Sequence, residues 1–256
     1  MFDMGFLPDI RKIMKRLPVN RQTLLFSATM PDDVKSLANE VLTKPVRVQI
    51  GPTKPADTVS HTFYPVETHH KTALLKNILN STETGPVLVF TRTKMRAKSI
   101  GHKLEKSGYD ATALHGNMSQ NKRQRALDGF RSGRYKILVA TDVAARGIDV
   151  RGVSHVINYD IPSTPEAYIH RIGRTGRATR SGEAFTLVTG EDKNMVRAIN
   201  RIIGSEIEQR ILSTFDYGSS APYCKDRSQR IGKPQRELSV VKKRPNKPKS
   251  LSKVFI

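Results

Sequence analysis

The chain has 256 residues, enough for one or two domains, and its charge narrows what it can bind. Its 44 lysines and arginines outnumber 23 acidic residues, so the formal net charge is +21. Such an excess favours a polyanionic partner, with nucleic acid ahead of an anionic membrane surface. The single cysteine, Cys224, excludes an internal disulfide framework and a cysteine-rich zinc site. No apolar run approaches the roughly 20 residues that cross a bilayer, so we expect a cytoplasmic protein that makes no membrane contact.

Short apolar runs alternate with helical patterns along the chain. The predicted strands are Thr23–Phe26, Val46–Ile50, Pro86–Phe90, Ala111–Leu114, Lys136–Ala140, His155–Tyr159 and Ala184–Val188. The predicted helices are Val34–Leu42, Thr93–Ser107, one capped by Ser119, Pro165–Arg171 and Asn194–Ile203. Strands that alternate with helices predict an α/β fold, in which a mostly parallel sheet has helices on both faces.

Breaks in composition divide the chain into four predicted segments. Residues 1–50 hold a strand, a helix and a strand, too few elements for a stable domain. Residues 51–58, with two prolines and a glycine, predict a linker to a complete domain at 59–212. From 213 to 256, eleven basic residues stand against three acids among prolines and serines. This composition predicts a disordered basic tail, which serves either as a solubility tail or as a tether for nucleic acid.

Small polar residues follow four of the predicted strands. They are SAT at 27–29, FTRT at 90–93, HG at 115–116 and ATD at 140–142. Ligands of a parallel sheet bind beyond the carboxyl ends of its strands, and hydroxyl groups and glycines there allow close approach to phosphates. Any one of these strings could be an ordinary loop, but four at one edge favour a binding site.

The string HRIGRTGR at 170–177 concentrates positive charge. Arg171, Arg174 and Arg177 recur every third residue, so within one helical turn neighbouring members share a face. Guanidinium forks match phosphate oxygens and stabilise charge in phosphoryl transfer. The alternative is a solvated basic turn.

Two further strings carry candidate ligand groups. In ATDVAARGID, at 140–149, Asp149 could hold a ribose hydroxyl and Asp142 could simply hold a backbone turn. In HGNMSQNKRQRALDGF the candidates are Gln120 and Arg123, and we expect Arg123 on a polar helix face with Lys122 and Arg125, opposite Leu127 and Phe130. That second pattern is also typical of a solvated basic face.

Taken together and in this order, SAT, FTRT, HGNMSQNKR, ATDVAARGID and HRIGRTGR closely resemble a DEAD-box ATP-dependent RNA helicase of superfamily 2, of the bacterial RhlE-like kind. The resemblance covers about residues 1–203. It implies a RecA-like fold, with 1–50 as the end of a first RecA-like domain and 59–212 as the second. The sequence contains no G-x-x-x-x-G-K-[ST] and begins just after the DEAD acids would stand. We therefore expect the C-terminal portion of such an enzyme, without ATPase activity of its own.

The resemblance also implies roles for individual residues. Catalysis would fall to Arg174 and Arg177, as arginine fingers, and to His170. ATP would further contact Asp149 and Gly147, and coupling between domains would involve Ser27, Thr29 and Arg146. The RNA backbone would be held by Thr91, Arg92, Gly116, Arg123 and Thr141. The implied cofactor is ATP with Mg²⁺, whose ligands lie outside this chain. The implied partners are RNA and the first RecA-like domain. The implied oligomeric state is a monomer. Two alternatives stay open: a catalytically inactive RNA-binding module, and a fragment of a superfamily 2 DNA helicase.

Overall fold

A computed structural model describes residues 6–27, 30, 32–48, 58–82, 85–145, 152–176 and 181–218. Its strands are β1 (Val59–Pro65), β2 (Val87–Phe90), β3 (Ala111–Leu114), β4 (Ile137–Ala140), β5 (His155–Asn158), β6 (Gly182–Val188) and β7 (Glu208–Gln209). Its helices are α1 (Leu7–Met14), α2 (Asp32–Val41), α3 (Lys71–Ser81), α4 (Lys94–Lys106), α5 (Gln120–Arg131), α6 (Asp142–Ala145), α7 (Pro165–Ile172) and α8 (Lys193–Ile203).

The strands form one sheet in the order β3–β4–β2–β5–β6–β1–β7, and every neighbouring pair is parallel. Each residue of β2, β4 and β5 is buried. Continuous burial of this kind is typical of parallel strands that are covered on both faces. The predicted α/β fold with a parallel sheet is therefore confirmed.

Alternate strand residues pack on opposite faces of the sheet. Val87 and Val89 of β2 join a core with α3 and α4, whereas Leu88 and Phe90 join a core with α5. A third core, around Phe63, holds α7 and α8 against β1 and β6. Helices thus cover both faces, and the carboxyl edge of the sheet is left to the loops.

Short polar residues fix where the helices begin. The side chains of Thr93, Ser119 and Thr164 accept hydrogen bonds from the backbone N–H groups three residues ahead. Such caps satisfy amide donors that the first turn of a helix leaves without a partner. The predicted cap at Ser119 is confirmed.

The segment before the predicted linker differs from prediction. No strand forms at Thr23–Phe26 or at 46–48, while residues 49 and 50 lie outside the described part. Leu24 and Phe26 are 68% and 89% exposed. An apolar run becomes a strand only when another strand pairs with it, and none does so here in the described part of the chain. The described helices of this segment are α1 and α2, joined by the Arg11–Glu40 ion pair at 2.8 Å.

Two strands at the far side of the sheet were not predicted. β1 could not be predicted from an apolar pattern, because Ser60, His61 and Thr62 interrupt its apolar residues. In the sheet it lies between β6 and β7. After α8 the chain adds β7 and packs Phe215 and Tyr217 against the core. Ordered packing therefore continues five residues past residue 212.

Candidate functional site

Three loops meet directly at the carboxyl edge of the sheet. The backbone N–H of Thr91, after β2, donates to the carbonyl of Ala140 at the end of β4, at 2.9 Å. The N–H of Tyr159, after β5, donates to the carbonyl of Phe90 at 3.0 Å. The loop after β3 emerges at the same edge, because β3 pairs with β4 in parallel. The edge therefore collects three of the four predicted strings, FTRT, HG and ATD, whereas the fourth, SAT, follows no described strand.

Arg171 is the best-buried charged group at this edge, at 2% exposure. Its Nε and Nη2 donate to the two carboxylate oxygens of Asp142 at 2.6 and 2.7 Å. Its Nη1 donates to the Asn158 side chain at 3.1 Å and to the Asp160 carbonyl at 2.7 Å. One guanidinium thus joins α7 to the loops after β4 and β5. Asp142 holds this arginine rather than only a backbone turn.

The string HRIGRTGR is divided between an inner and an outer face. Arg171 and Thr175 are buried, and the Thr175 hydroxyl lies 2.6 Å from the Val153 carbonyl, to which it donates. His170 is exposed and Arg174 is partly exposed. The predicted shared face of Arg171 and Arg174 is therefore wrong, because Asp142 draws Arg171 inward. Gly176 has φ +65° and lies tight against Val59, which explains a glycine at that position.

The residues expected at an RNA backbone have different exposures. Arg92 is exposed, and a Cβ added to Gly116 would meet nothing within 4 Å. Thr91 is fully buried, and its hydroxyl donates to the Thr93 carbonyl at 3.4 Å. Arg123 donates to the carbonyl of Ala144 at 3.4 Å, beside the turn whose Ala144 N–H donates to Thr141. The edge thus presents Arg92 and Gly116 outward, while Thr91 holds the loop from inside.

Sequence reasoning missed a cluster of charges just behind Arg92. Asp160 is 3% exposed, and its carboxylate accepts from the Arg92 backbone N–H at 2.9 Å and from the Arg96 guanidinium at 2.7 Å. Lys71, which is also buried, lies 3.9 Å from the same carboxylate and donates to the Tyr159 carbonyl at 3.2 Å. Burial lowers the pKa of Lys71, and Asp160 opposes that shift. Asp160 directly follows the predicted strand His155–Tyr159, so the strand-end rule used for the other loops could have found it.

Two family models match the chain. The model for the helicase conserved C-terminal domain matches residues 70–179, and the model for the DEAD/DEAH box helicase matches residues 1–37. Among curated proteins, RhpA of Helicobacter pylori strain B128 is 44% identical over 209 residues, which are 81% of this chain and 42% of that protein. CshA of Bacillus subtilis strain 168 is 41% identical over 217 residues, 84% of this chain and 44% of that protein. Both are named DEAD-box ATP-dependent RNA helicases.

Solved structures agree with these matches. The Escherichia coli DEAD-box protein SrmB, solved with the regulator RraA, is 40% identical with a TM-score of 0.58, over 60% of this chain and 91% of that chain. S. cerevisiae Dbp5 bound to RNA and ADP BeF3 is 32% identical with a TM-score of 0.74, over 80% of this chain and 55% of that chain.

The chain belongs to the DEAD-box RNA helicase family. It corresponds to the C-terminal portion of such a helicase, with the RecA-like fold, and spans under half the length of RhpA and CshA. Several residues to which the family resemblance gives roles, namely Thr29, Arg146, Gly147, Asp149 and Arg177, lie outside the described residues, as does the predicted tail beyond 218. Ser27 is described and exposed, but it belongs to the segment before the sheet.

One histidine at the carboxyl edge of the sheet is unusual. His115, between β3 and Gly116, is buried, and within the described part of the chain its Nδ1 has no hydrogen-bond partner. Burial, with the charges of Lys98 and Lys94, lowers its pKa. Protonation of this imidazole is therefore disfavoured in the folded chain.

The described residues offer neither a metal centre nor a membrane span. No group of three histidine, cysteine or acidic side chains among them could hold a metal ion. No helix in the described ranges is long and apolar enough to cross a bilayer. A separate cavity of about 510 Å³ lies on the sheet's α3 side, lined in part by Tyr64, His155, Glu183 and Arg210. His155 and Glu183 hydrogen-bond there at 2.8 Å.

Proposed function

We propose that this chain supplies the RNA-binding and arginine-finger part of an ATP-dependent DEAD-box RNA helicase. The observation that carries the proposal is the meeting of the FTRT, HG and ATD loops at one sheet edge, with Arg92 exposed and Gly116 open. A chain with net charge +21 also favours a polyanion at that edge.

RNA would lie along this edge through its sugar-phosphate backbone. Arg92 and Arg123 supply guanidinium groups, and Gly116 leaves room for close approach, while Thr91 and Thr141 keep the loops in place. Phosphate contacts hold a strand without reading its bases, and contact with 2′-hydroxyls would favour RNA over DNA. Binding of this kind is independent of sequence and weakens as salt increases.

ATP would be met by the exposed end of HRIGRTGR. Arg174 and Arg177 would stabilise charge on the γ-phosphate, His170 would lie beside them, and Asp149 with Gly147 would hold the ribose end. Buried Arg171, held by the partly exposed Asp142, fixes the turn that carries Arg174. We assign no Mg²⁺ ligand to this chain.

In the complete helicase, ATP and RNA would together favour a closed arrangement of two RecA-like domains. Ligands that bind the closed state better shift the population towards it. Ser27 and Thr29, with Arg146, would carry that coupling between the domains. Closure would bend one strand and separate a short duplex locally.

The deciding experiment measures ATP turnover by the purified chain, with and without RNA, beside Arg177→Ala. We expect no turnover, together with RNA binding that weakens as salt rises. This result would establish an RNA-binding part that needs the other RecA-like domain for chemistry. RNA-stimulated turnover that disappears in Arg177→Ala would instead mean that this chain assembles a nucleotide site alone.

The same preparation tests the DNA alternative. Single-stranded RNA and DNA of the same sequence compete for a labelled RNA. We expect RNA to compete more strongly, and equal competition would favour a DNA helicase fragment.

A further inference from the structure

We propose that Asp160 is a positioning residue for RNA binding, acting through the Arg92 loop. The inference rests on the proposed function, because it assumes that Arg92 meets the RNA backbone. The structure places one buried carboxylate directly behind that loop.

Both carboxylate oxygens of Asp160 accept hydrogen bonds. One bond comes from the loop before α4 and the other from α4 itself. Oδ2 accepts from the Arg92 backbone N–H at 2.9 Å, which fixes the main chain of the loop. Oδ1 accepts from the Arg96 guanidinium at 2.7 Å, one turn into the helix. This carboxylate bridges a loop amide and a helix side chain. It therefore restricts the position of the Arg92 backbone, from which the exposed side chain extends.

The same carboxylate is the negative centre of a basic cluster. Lys71 is nearly buried, lies 3.9 Å from Asp160, and feels the repulsive charges of Arg96 and Arg92. Without Asp160, the guanidinium groups of Arg92 and Arg96 would repel the buried Lys71 ammonium with no carboxylate to offset them, and buried charges need a partner. The loop could then relieve that repulsion by moving Arg92 away from the edge.

The residue also connects the two proposed sites. The backbone carbonyl of Asp160 accepts a hydrogen bond from Arg171 at 2.7 Å. Arg171 also donates to the carboxylate of Asp142, the residue after Thr141. Asp160 therefore touches the FTRT loop through its side chain and the HRIGRTGR turn through its main chain.

The test is a double-mutant cycle of Asp160→Asn and Arg92→Ala, with affinity for a labelled single-stranded oligouridylate as the readout. Asp160→Asn removes a negative charge, so a purely electrostatic view predicts tighter RNA binding. Positioning predicts the opposite sign, a loss of about tenfold, the size expected when charge-assisted hydrogen bonds are lost. In the Arg92→Ala background the loss should shrink to less than about twofold, because residues that act together are not additive.

Glu183→Gln is the matched control. It also removes a carboxylate that is paired with a base, His155, but on β6, away from the Arg92 loop. It should leave RNA affinity unchanged or slightly higher.

The outcomes separate the two claims. If Arg92→Ala weakens binding but Asp160→Asn does not, or if Asp160→Asn costs the same in both backgrounds, the positioning role is overturned and the RNA surface stands. If neither Arg92→Ala nor Arg123→Ala weakens binding, the proposed surface itself fails and the inference fails with it.

A second variant guards against misfolding, because Asp160 is buried. If Asp160→Asn does not fold, Arg96→Gln replaces it, since the Arg96 side chain is 44% exposed. It should weaken RNA binding about threefold by freeing one oxygen of Asp160, and this loss should vanish in the Arg92→Ala background. An unchanged affinity in Arg96→Gln, or a loss that persists without Arg92, would overturn the role.

Discussion

Individual residues at the carboxyl edge divide into those that hold the loops and those that face outward. Arg171 holds the loops together, although the pattern of HRIGRTGR suggests that it faces outward. Four hydrogen bonds and 2% exposure leave it no surface for a ligand. Arg174, one turn on, is partly exposed. The two arginines should therefore differ in what their loss affects.

We predict that Arg171→Lys lowers the free energy of unfolding by about 3 kcal/mol, because an ammonium group cannot replace the fork on Asp142. Arg174→Ala, at a partly exposed position, should lower it by less than Arg171→Lys does. Urea titration followed by circular dichroism measures both. Equal stability in the two variants would contradict the division.

Gly116 allows RNA binding to be separated from folding. An added Cβ meets nothing within 4 Å, so Gly116→Ala should keep the stability of the parent chain. If an RNA backbone approaches this glycine, the methyl group should weaken RNA binding about fivefold, the equivalent of one hydrogen bond. Gly129→Ala is the contrasting change, because its Cβ would lie 2.6 Å from the Tyr135 ring and should cost about 1–3 kcal/mol of stability. Unchanged RNA affinity in Gly116→Ala would count against close approach at this loop.

His115 should make stability depend on pH. Its folded pKa is lowered, by burial first and then by Lys98 and Lys94, so the unfolded chain takes up a proton more readily. The stabilising effect of the neutral ring is then complete above about pH 6.5 and is lost as the pH falls below that value. Unfolding free energies at pH 7, 6 and 5 should decline less steeply in His115→Gln. The pKa of the partly buried His61 is lowered in the same way and should leave a residual slope.

At the scale of elements, a strand was predicted correctly where its sequence is apolar and the fold also supplies a neighbouring strand. β2 and β4 are unbroken apolar runs and Thr93 caps α4, so the ends of these three elements were predicted to within one residue. For α5 the start at Ser119 was predicted. Thr23–Phe26 is nearly as apolar, but no strand within the described ranges pairs with it. β1 has strands on both sides but a polar middle. The site followed the same rule, since the strand-end loops were predictable from sequence, whereas the inward turn of Arg171 depends on where Asp142 lies in space.

The segment after α8 should contribute to stability even though it has little regular structure. Tyr217 is 7% exposed and packs edge-to-face on Phe215 at 4.8 Å between ring centres. Tyr217→Ala should lower the unfolding free energy by about 3 kcal/mol. Ile211→Ala, nearby and 40% exposed, is the control and should cost less than about 0.5 kcal/mol. Similar losses in both would mean that the segment is held by its backbone alone.

At the scale of the whole molecule, charge is concentrated towards one end. Residues 219–256 carry eleven lysines and arginines against two acids. A chain that ends at Gly218 should keep its unfolding midpoint, since the described core lies before that point. Its RNA affinity should fall less steeply with salt, because fewer counterions are released on binding. Identical salt slopes with and without these residues would favour a solubility tail over an RNA tether.

The position of β1 has a consequence for synthesis. Among the described strands β1 is made first, yet its neighbours β6 and β7 are made last, with Val59 paired to Gly182 and Thr62 to Glu208. A ribosome that adds about 5–20 residues per second needs roughly ten seconds to make the intervening chain. Until then Phe63, which is fully buried in the finished domain, has no strand beside it. The nascent chain therefore carries an unpaired strand edge from the synthesis of β1 until that of β6, and this is the interval in which a chaperone would be most useful.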